Sequence, residues 1–147
     1  MTDAAPLRVI FVCTGYSARS QMAEAVLREQ GGGRFEVVSA GVDPKGVHPM
    51  TIAALAKAGI DITGARSKAV GEFLGQRFDY VVTVCDRARA SCPVFPGGSE
   101  TLHWGLDDPV EVEGTEAERQ AAFDRVQTEV GSRINAFIPI ALARPPV

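Results

Sequence analysis

The stretch LRVIFVCTGYSARSQMAEA, residues 7–25, joins a strand, a tight turn and the start of a helix. Leu7–Val12 is a short apolar, β-branched run, typical of a strand buried on both faces. From Ser20 to Gln30 apolar residues recur at helical spacing, and the three glycines 31–33 end the pattern. A strand that leads through a short turn into a helix is the first unit expected of a parallel α/β sheet.

The rest of the chain continues this alternation of strands and helices. We predict further strands at Phe35–Ala40, Phe78–Val84 and Glu100–Trp104, and helices at Pro49–Ala58, Ser67–Leu74 and Thr115–Ile138. Thr115 and Glu118 have the spacing of a capping box at the start of the last helix. The tail, Pro139–Val147, contains three prolines, and we expect it to lie along the surface. The pattern predicts an α/β three-layer sandwich, with a four-stranded parallel sheet and helices on both faces.

Composition limits the classes of protein to which the chain can belong. Its 147 residues suit a single domain over residues 1–147, and 46% hydrophobic with 22% charged residues is ordinary for a soluble globular protein. The formal net charge of −3 gives no basic surface for nucleic acid. No apolar run approaches the roughly 18 residues that a bilayer span needs, and Met1–Leu7 lacks the apolar core of a signal peptide. We expect a cytoplasmic monomer that binds neither membranes nor nucleic acid.

The turn between the first strand and the first helix has the chemistry of an anion site. Backbone amides there can surround an anion, helped by the helix dipole, and Arg19 adds a planar fork that suits a tetrahedral oxyanion. The same positive field favours the thiolate of Cys13, to which the hydroxyls of Ser17 and Ser20 can donate. The alternative is a turn with a buried cysteine and a surface arginine. The predicted oxyanion-binding residues are Thr14, Gly15, Tyr16, Ser17, Ala18, Arg19 and Ser20.

Two more cysteines and a pair of aspartates follow later strands. Cys85 ends the third predicted strand, beside the first in the expected sheet order, and Cys92 comes seven positions later. A helix over residues 86–91 would separate their Cα atoms by about 10 Å, whereas a disulfide needs about 7 Å or less, so this segment would have to unwind for the pair to close. Either cysteine could instead be a small buried apolar residue. No CxxC pair or histidine cluster indicates a metal site.

The string C-T-G-x-S-x-R-S-Q-M-A-E-A, from Cys13 to Ala25, resembles the phosphate loop of low-molecular-weight protein tyrosine phosphatases. It is more similar still to the thioredoxin-coupled arsenate reductases built on that fold. Ser39-Ala40-Gly41 and the H-W-G-x-D-D-P string from His103 to Pro109 agree with this resemblance. It implies that Asp108, directly before proline, is the general acid rather than Asp107. It also implies that Cys85 and Cys92 form a redox relay, which phosphatases of the fold lack.

The resemblance implies a function and also shows two departures from the family pattern. The implied activity is reduction of arsenate, with phosphate or sulfate as analogues, by Cys13, Arg19 and Asp108. The Cys85/Cys92 disulfide would be regenerated by thioredoxin as external reductant, without a bound cofactor. Tyr16 stands where the family usually has asparagine, and Lys68 lies where some members hold a monovalent cation, so we expect no potassium dependence.

Three alternatives stay open at this point. The first is a low-molecular-weight phosphatase, and weak phosphatase side activity would also fit the reductase. The second is a reductase that uses a small thiol in place of thioredoxin. The third is a non-enzymatic oxyanion-binding or redox-sensing module.

Overall fold

The computed structural model describes residues 5–15 and 18–143, which form a four-stranded parallel sheet with helices on both faces. The strands are β1 (Leu7–Cys13), β2 (Phe35–Gly41), β3 (Tyr80–Thr83) and β4 (Glu100–His103). The helices are α1 (Ala18–Gly31), α2 (Pro49–Lys57), α3 (Asp86–Ser91) and α4 (Glu116–Ala143). Short 3₁₀ turns lie at Gly32–Arg34, Val70–Phe73 and Pro109–Glu111. The three-layer α/β fold predicted from the sequence is confirmed.

The strand order β2-β1-β3-β4 places β1 in the interior of the sheet, with Val12 paired to both Ala40 of β2 and Thr83 of β3. Alternate residues of β1 face two separate apolar cores. The larger core lies under α1, α2 and α4 and contains Phe11, Met22 and Phe123; the smaller lies under α3 and contains Val12, Phe78 and Ala88. Burial on both faces explains the continuous apolar run of β1.

Two predicted elements differ from the structure. Residues predicted as a helix at 67–74 form only the 3₁₀ turn at Val70–Phe73, and Ala69 makes a parallel bridge to Gly41 at the end of β2. The predicted surface tail is wrong up to Ala143, because α4 continues through Pro139. Phe137 and Ala141, on either side of the proline, are buried in the core, and this packing maintains the helix despite the missing N–H. Residues 144–147 lie outside the described part.

The start of α4 is as predicted: Thr115 Oγ1 accepts from the Glu118 N–H at 3.1 Å, and Oε1 of Glu118 accepts from the Thr115 N–H at 3.2 Å. Within the described ranges no helix, α4 included, combines the length and the apolar character needed to cross a bilayer.

Candidate active site

Three reactive side chains, two thiols and a carboxylate, lie at the carboxyl edge of the sheet. Cys13 is the last residue of β1, Cys85 caps the start of α3 just after β3, and Asp108 caps the 3₁₀ turn that follows β4. All four strands are parallel, so their carboxyl ends and the loops that follow them share one edge, where ligands bind in this class of sheet.

The turn after β1 is held in place by the segment after β2. Three backbone hydrogen bonds of 3.0–3.1 Å join them, from the N–H groups of Val42, Asp43 and Lys45 to the carbonyls of Cys13, Thr14 and Gly15. A Cβ atom added to Gly41 would lie 2.7 Å from the carbonyl oxygen of Thr14, which is too close for any residue but glycine. The glycine of the Ser39-Ala40-Gly41 motif therefore allows the end of β2 to pack closely against the backbone that follows Cys13.

A cavity of about 160 Å³ opens beside the thiol of Cys13. Its other lining residues are Thr14, Gly15, Ala18, Arg19, Lys45, Asp108 and Val110. A second, outer cavity of about 520 Å³ lies on the α3 side, and Thr14, Arg19 and Asp108 line both. The inner cavity thus brings together the predicted nucleophile, the predicted anion clamp and the predicted acid.

Arg19 is buried, and only some of its guanidinium N–H donors have hydrogen-bond partners among the described residues. Its Nη1 donates to the carbonyl of Leu106 at 2.9 Å, and its Nη2 lies 3.5 Å from Oδ2 of Asp108. The Nε atom is buried and has no hydrogen-bond partner among the described residues. A buried guanidinium N–H without a partner is costly unless a ligand satisfies it, so this arginine is suited to hold an anion.

Of the two adjacent aspartates, only Asp108 lines the inner cavity. Its Oδ1 accepts from the Val110 N–H at 3.0 Å, which leaves Oδ2 turned towards Arg19. Asp107 is exposed and lines only the outer cavity. The geometry therefore agrees with Asp108 as the proton donor.

The thiols of Cys13 and Cys85 titrate as a pair. The hydrogen bond between them raises the pKa of Cys13 well above its ordinary value, and burial adds to this rise while Arg19 opposes it. The same bond lowers the pKa of Cys85 to about 5, against the effect of burial. Cys85 Sγ also lies 2.7 Å from Thr14 Oγ1 and accepts from the Ala88 N–H at 3.3 Å.

These opposite pKa shifts favour the thiolate on Cys85 over the thiolate on Cys13. The pKa directions run against the resting thiolate that the sequence predicts on Cys13, because the neighbouring Cys85 thiol contacts the Thr14 hydroxyl and accepts from the Ala88 N–H. The proximity of Cys85 to the turn that follows Cys13 is as predicted from strand order.

The helix considered in the sequence analysis at residues 86–91 is present as α3. Cys85 lies at its start and Cys92 directly after its end. All three thiols are free. Burial raises the pKa of Cys92, which packs against the smaller core and whose Sγ donates to the neighbouring carbonyl of Pro93 at 3.6 Å. The large apolar side chain of Val94, two residues on, is 96% exposed. Cys85 therefore caps the start of α3, whereas Cys92 donates one long bond to the carbonyl of the next residue.

Several predicted residues stand apart from this geometry. Tyr16 and Ser17 lie outside the described residues. Ser20 Oγ is buried without a hydrogen-bond partner among the described residues, so the expected bond from its hydroxyl to Cys13 is not formed. Lys68 Nζ lies 3.8 Å from the buried carboxylate of Glu24, and Arg28 approaches the same oxygen at 3.7 Å. The electrostatic role proposed for Lys68 in place of a metal ion stays a prediction.

Sequence reasoning missed Lys45 at the inner cavity. It lies outside every motif, and only the hydrogen bonds between the turns after β1 and β2 bring it to the site.

The family assignment follows from comparison of the whole chain with known proteins. Residues 8–144 match the family described as low molecular weight phosphotyrosine protein phosphatase. The chain belongs to this family. The chain is 43% identical over 129 residues to an arsenate reductase from Halalkalibacterium halodurans, covering 88% of this chain and 93% of that one.

Solved structures of arsenate reductases are also similar to this chain. An arsenate reductase in its oxidized state is 31% identical, with a TM-score of 0.76 over 90% of this chain and 96% of the other. A thioredoxin-dependent arsenate reductase from Corynebacterium glutamicum is also 31% identical, with a TM-score of 0.61 over 91% of this chain and 65% of its own length.

Proposed function

We propose that this protein reduces arsenate to arsenite with electrons supplied by thioredoxin. The observation that carries the proposal is the placement of Cys85 beside the Cys13 turn, with Cys92 at the other end of α3. A phosphatase of this fold needs the first thiol, the arginine and the acid, because water completes its cycle. A two-electron reduction needs further thiols within reach, and this chain has them. The arsenate reductases among its relatives support the same reading.

In the first step Cys13 attacks arsenic while Arg19 and the amides of the turn hold the arsenate oxygens. A sulfur–arsenic bond forms and an arsenic–oxygen bond breaks. Asp108, which takes up a proton from solvent before this step, protonates the departing hydroxide so that it leaves as water. The proton on the Cys13 thiol passes to Cys85 as the attack proceeds, since the two are already hydrogen-bonded. Arsenic is still in the pentavalent state after this step.

In the second step the thiolate of Cys85 attacks the sulfur of Cys13. The new sulfur–sulfur bond leaves the electron pair of the sulfur–arsenic bond on arsenic, which departs as trivalent arsenite. Cys85 must first lose its proton to solvent. The Thr14 hydroxyl and the Ala88 N–H stabilise its thiolate after the Cys13 donor is gone.

In the third step Cys92 attacks Cys85, which frees the Cys13 thiolate and forms the Cys85–Cys92 disulfide. Helix α3 must unwind for this bond to form, because Cys85 and Cys92 flank its six residues and seven helical steps separate their Cα atoms by about 10 Å. Thioredoxin then reduces the disulfide by thiol exchange, for which an intramolecular pair is a suitable substrate. The same exposed segment would let a small thiol serve instead.

The test is arsenate-dependent NADPH consumption with thioredoxin and thioredoxin reductase, run beside hydrolysis of p-nitrophenyl phosphate. We expect sustained NADPH consumption and weak hydrolysis. Cys92→Ser should complete about one turnover and stop, while the neighbouring variant Ser91→Ala, at an exposed position, should behave as wild type. Undiminished multiple turnover by Cys92→Ser would refute the relay. Hydrolysis without arsenate reduction would favour the phosphatase, and neither activity would favour a sensing module.

A further inference from the structure

Lys45 is a cation at the inner cavity that the mechanism above does not use. Its backbone N–H donates to the carbonyl of Gly15 at 3.0 Å, which fixes its position against the turn that follows Cys13. Its side chain lies over this turn, since a Cβ added to Gly15 would meet Cδ of Lys45 at 3.6 Å. Lys45 lines the cavity together with Cys13 and Arg19, while its side chain is 57% exposed. It therefore stands at the mouth of the site rather than inside it.

Lys45 is the cation at the inner cavity whose charge is least offset by a neighbouring acidic group, so an approaching anion is attracted to it. The other charged side chains that line it are Arg19 and Asp108, which lie 3.5 Å apart and largely offset each other. Among the described residues the nearest acidic group to Lys45 is Asp43, with 3.8 Å between Nζ and Oδ2, and both side chains are more than half exposed. A pair this long and this solvated is weak, so Asp43 leaves most of the field of the ammonium in place.

We propose that Lys45 is a specificity-determining residue that captures the doubly charged oxyanion at the cavity mouth before Arg19 and the turn amides hold it. The inference rests on the proposed function, because it names how the same site selects its substrate. A mobile ammonium suits this task, since it attracts charge without the fixed geometry of a guanidinium. Doubly charged tetrahedral anions, arsenate and phosphate alike, gain most from it, and neutral or singly charged ligands gain less.

Capture at the mouth predicts a particular kinetic pattern. A charge that acts on the approach and binding of substrate changes kcat/KM and its salt dependence, and leaves the chemical step alone. We therefore expect Lys45→Gln to lower kcat/KM for arsenate about three- to tenfold at low ionic strength, with kcat changed less than about twofold. At high salt, where the Debye length shrinks to a few ångströms, the difference from wild type should nearly vanish.

The experiment compares Lys45→Gln with Lys57→Gln and Lys45→Arg at low and high salt. Lys57→Gln makes the same change in net charge at an exposed ion pair with Asp124 on α4, away from both cavities, and should match wild type. Lys45→Arg keeps the charge and should retain most of kcat/KM. The backbone N–H that bonds Gly15 is present in every variant, so a purely structural role of residue 45 would not produce a salt-dependent difference.

Binding of inorganic phosphate, measured by calorimetry or by NMR titration, separates failure of this inference from failure of the proposed function. If wild type binds phosphate and Lys45→Gln binds it about three- to tenfold more weakly at low salt, the capture role stands even without arsenate turnover. Equal phosphate affinity in both proteins, or a loss in Lys45→Gln that is independent of salt, would overturn it. A drop in kcat with unchanged KM would overturn it as well.

Discussion

The Oγ1 atom of Thr14 lies 2.7 Å from the Sγ atom of Cys85, across a sequence separation of 71 residues. This contact links the anion-binding turn after β1 to the start of α3. It is one of the donors that lower the pKa of Cys85. The second nucleophile of the proposed relay is thus activated by a residue of the substrate loop.

Removal of this hydroxyl should make Cys85 less acidic. In Thr14→Val we expect the pKa of Cys85 to rise towards that of an ordinary thiol, so the fraction of thiolate at a given pH falls and the second step slows most at the acidic end of the range. Thr14→Ser keeps the hydroxyl and should stay near wild type. The measurement is the pH dependence of alkylation of Cys85 in a Cys92→Ser background. An unshifted profile in Thr14→Val would contradict the assignment.

A series of side-chain contacts joins the start of α3 to β4, and unwinding of α3 would break it. His103 lies with Nε2 3.1 Å from Oδ1 of Asp86 and with Nδ1 2.8 Å from Oγ1 of Thr83. Arg89 approaches the same Asp86 oxygen at 3.6 Å. Asp86 is highly exposed, so these contacts stabilise α3 by about 1 kcal/mol or less.

Asp86→Ala should therefore make unwinding of α3 easier and speed closure of the Cys85–Cys92 disulfide by up to about fivefold. The rate is measured during diamide oxidation in a Cys13→Ser background, where only this intramolecular pair can form. Asp61→Ala removes an exposed carboxylate elsewhere and should leave the rate unchanged. Slower closure in Asp86→Ala would show that Asp86 assists closure and does not restrain it.

His48 makes part of the stability dependent on pH. Its Nδ1 accepts from the Met50 N–H at 3.1 Å at the start of α2, which only an unprotonated Nδ1 can do. Burial, followed by the charge of Arg119, lowers the pKa of His48 in the folded state. The unfolded chain therefore binds this proton first on acidification, and the stability is present above about pH 6.5 and lost as pH falls through the folded pKa.

His48→Asn keeps a capping acceptor but does not titrate. We expect wild type to lose about 1 kcal/mol more of its unfolding free energy than His48→Asn when pH falls through this window. Urea titrations of both proteins at a series of pH values give the difference directly. Parallel curves for the two proteins would contradict the role of His48.

The buried carboxylate of Glu24 should need no monovalent cation. Lys68 and Arg28 approach its Oε1 at 3.8 and 3.7 Å, so we expect equal activity and stability in sodium and in potassium. Lys68→Gln should lower the unfolding free energy by about 1–3 kcal/mol, because Glu24 stays buried with one cation fewer. Lys57→Gln, at an exposed pair, should cost less than about 1 kcal/mol. Higher activity of wild type in potassium would contradict this prediction.

Much of the fold was readable from local pattern. A few neighbouring residues were enough to predict three features: strand β1 from its apolar run, the end of α1 from its glycines, and the start of α4 from the capping box at Thr115. Two elements were misjudged where tertiary packing overrides local preference. Pro139 does not end α4, since Phe137 and Ala141 keep the helix on the core, and the segment before Val70 pairs with Gly41 and does not become helical.

The sequence alone determined the order of the four strands and the positions of Cys13, Cys85 and Asp108 at or after strand ends, because periodicity and turn residues act over short distances. Only the tertiary structure decided which side chains touch. The contact between Thr14 and Cys85, the opposite pKa shifts of Cys13 and Cys85 and the approach of Lys45 to the cavity all join segments far apart in the chain. Hydrogen bonding and desolvation depend on distances of a few ångströms, and packing of the sheet edge fixes those distances.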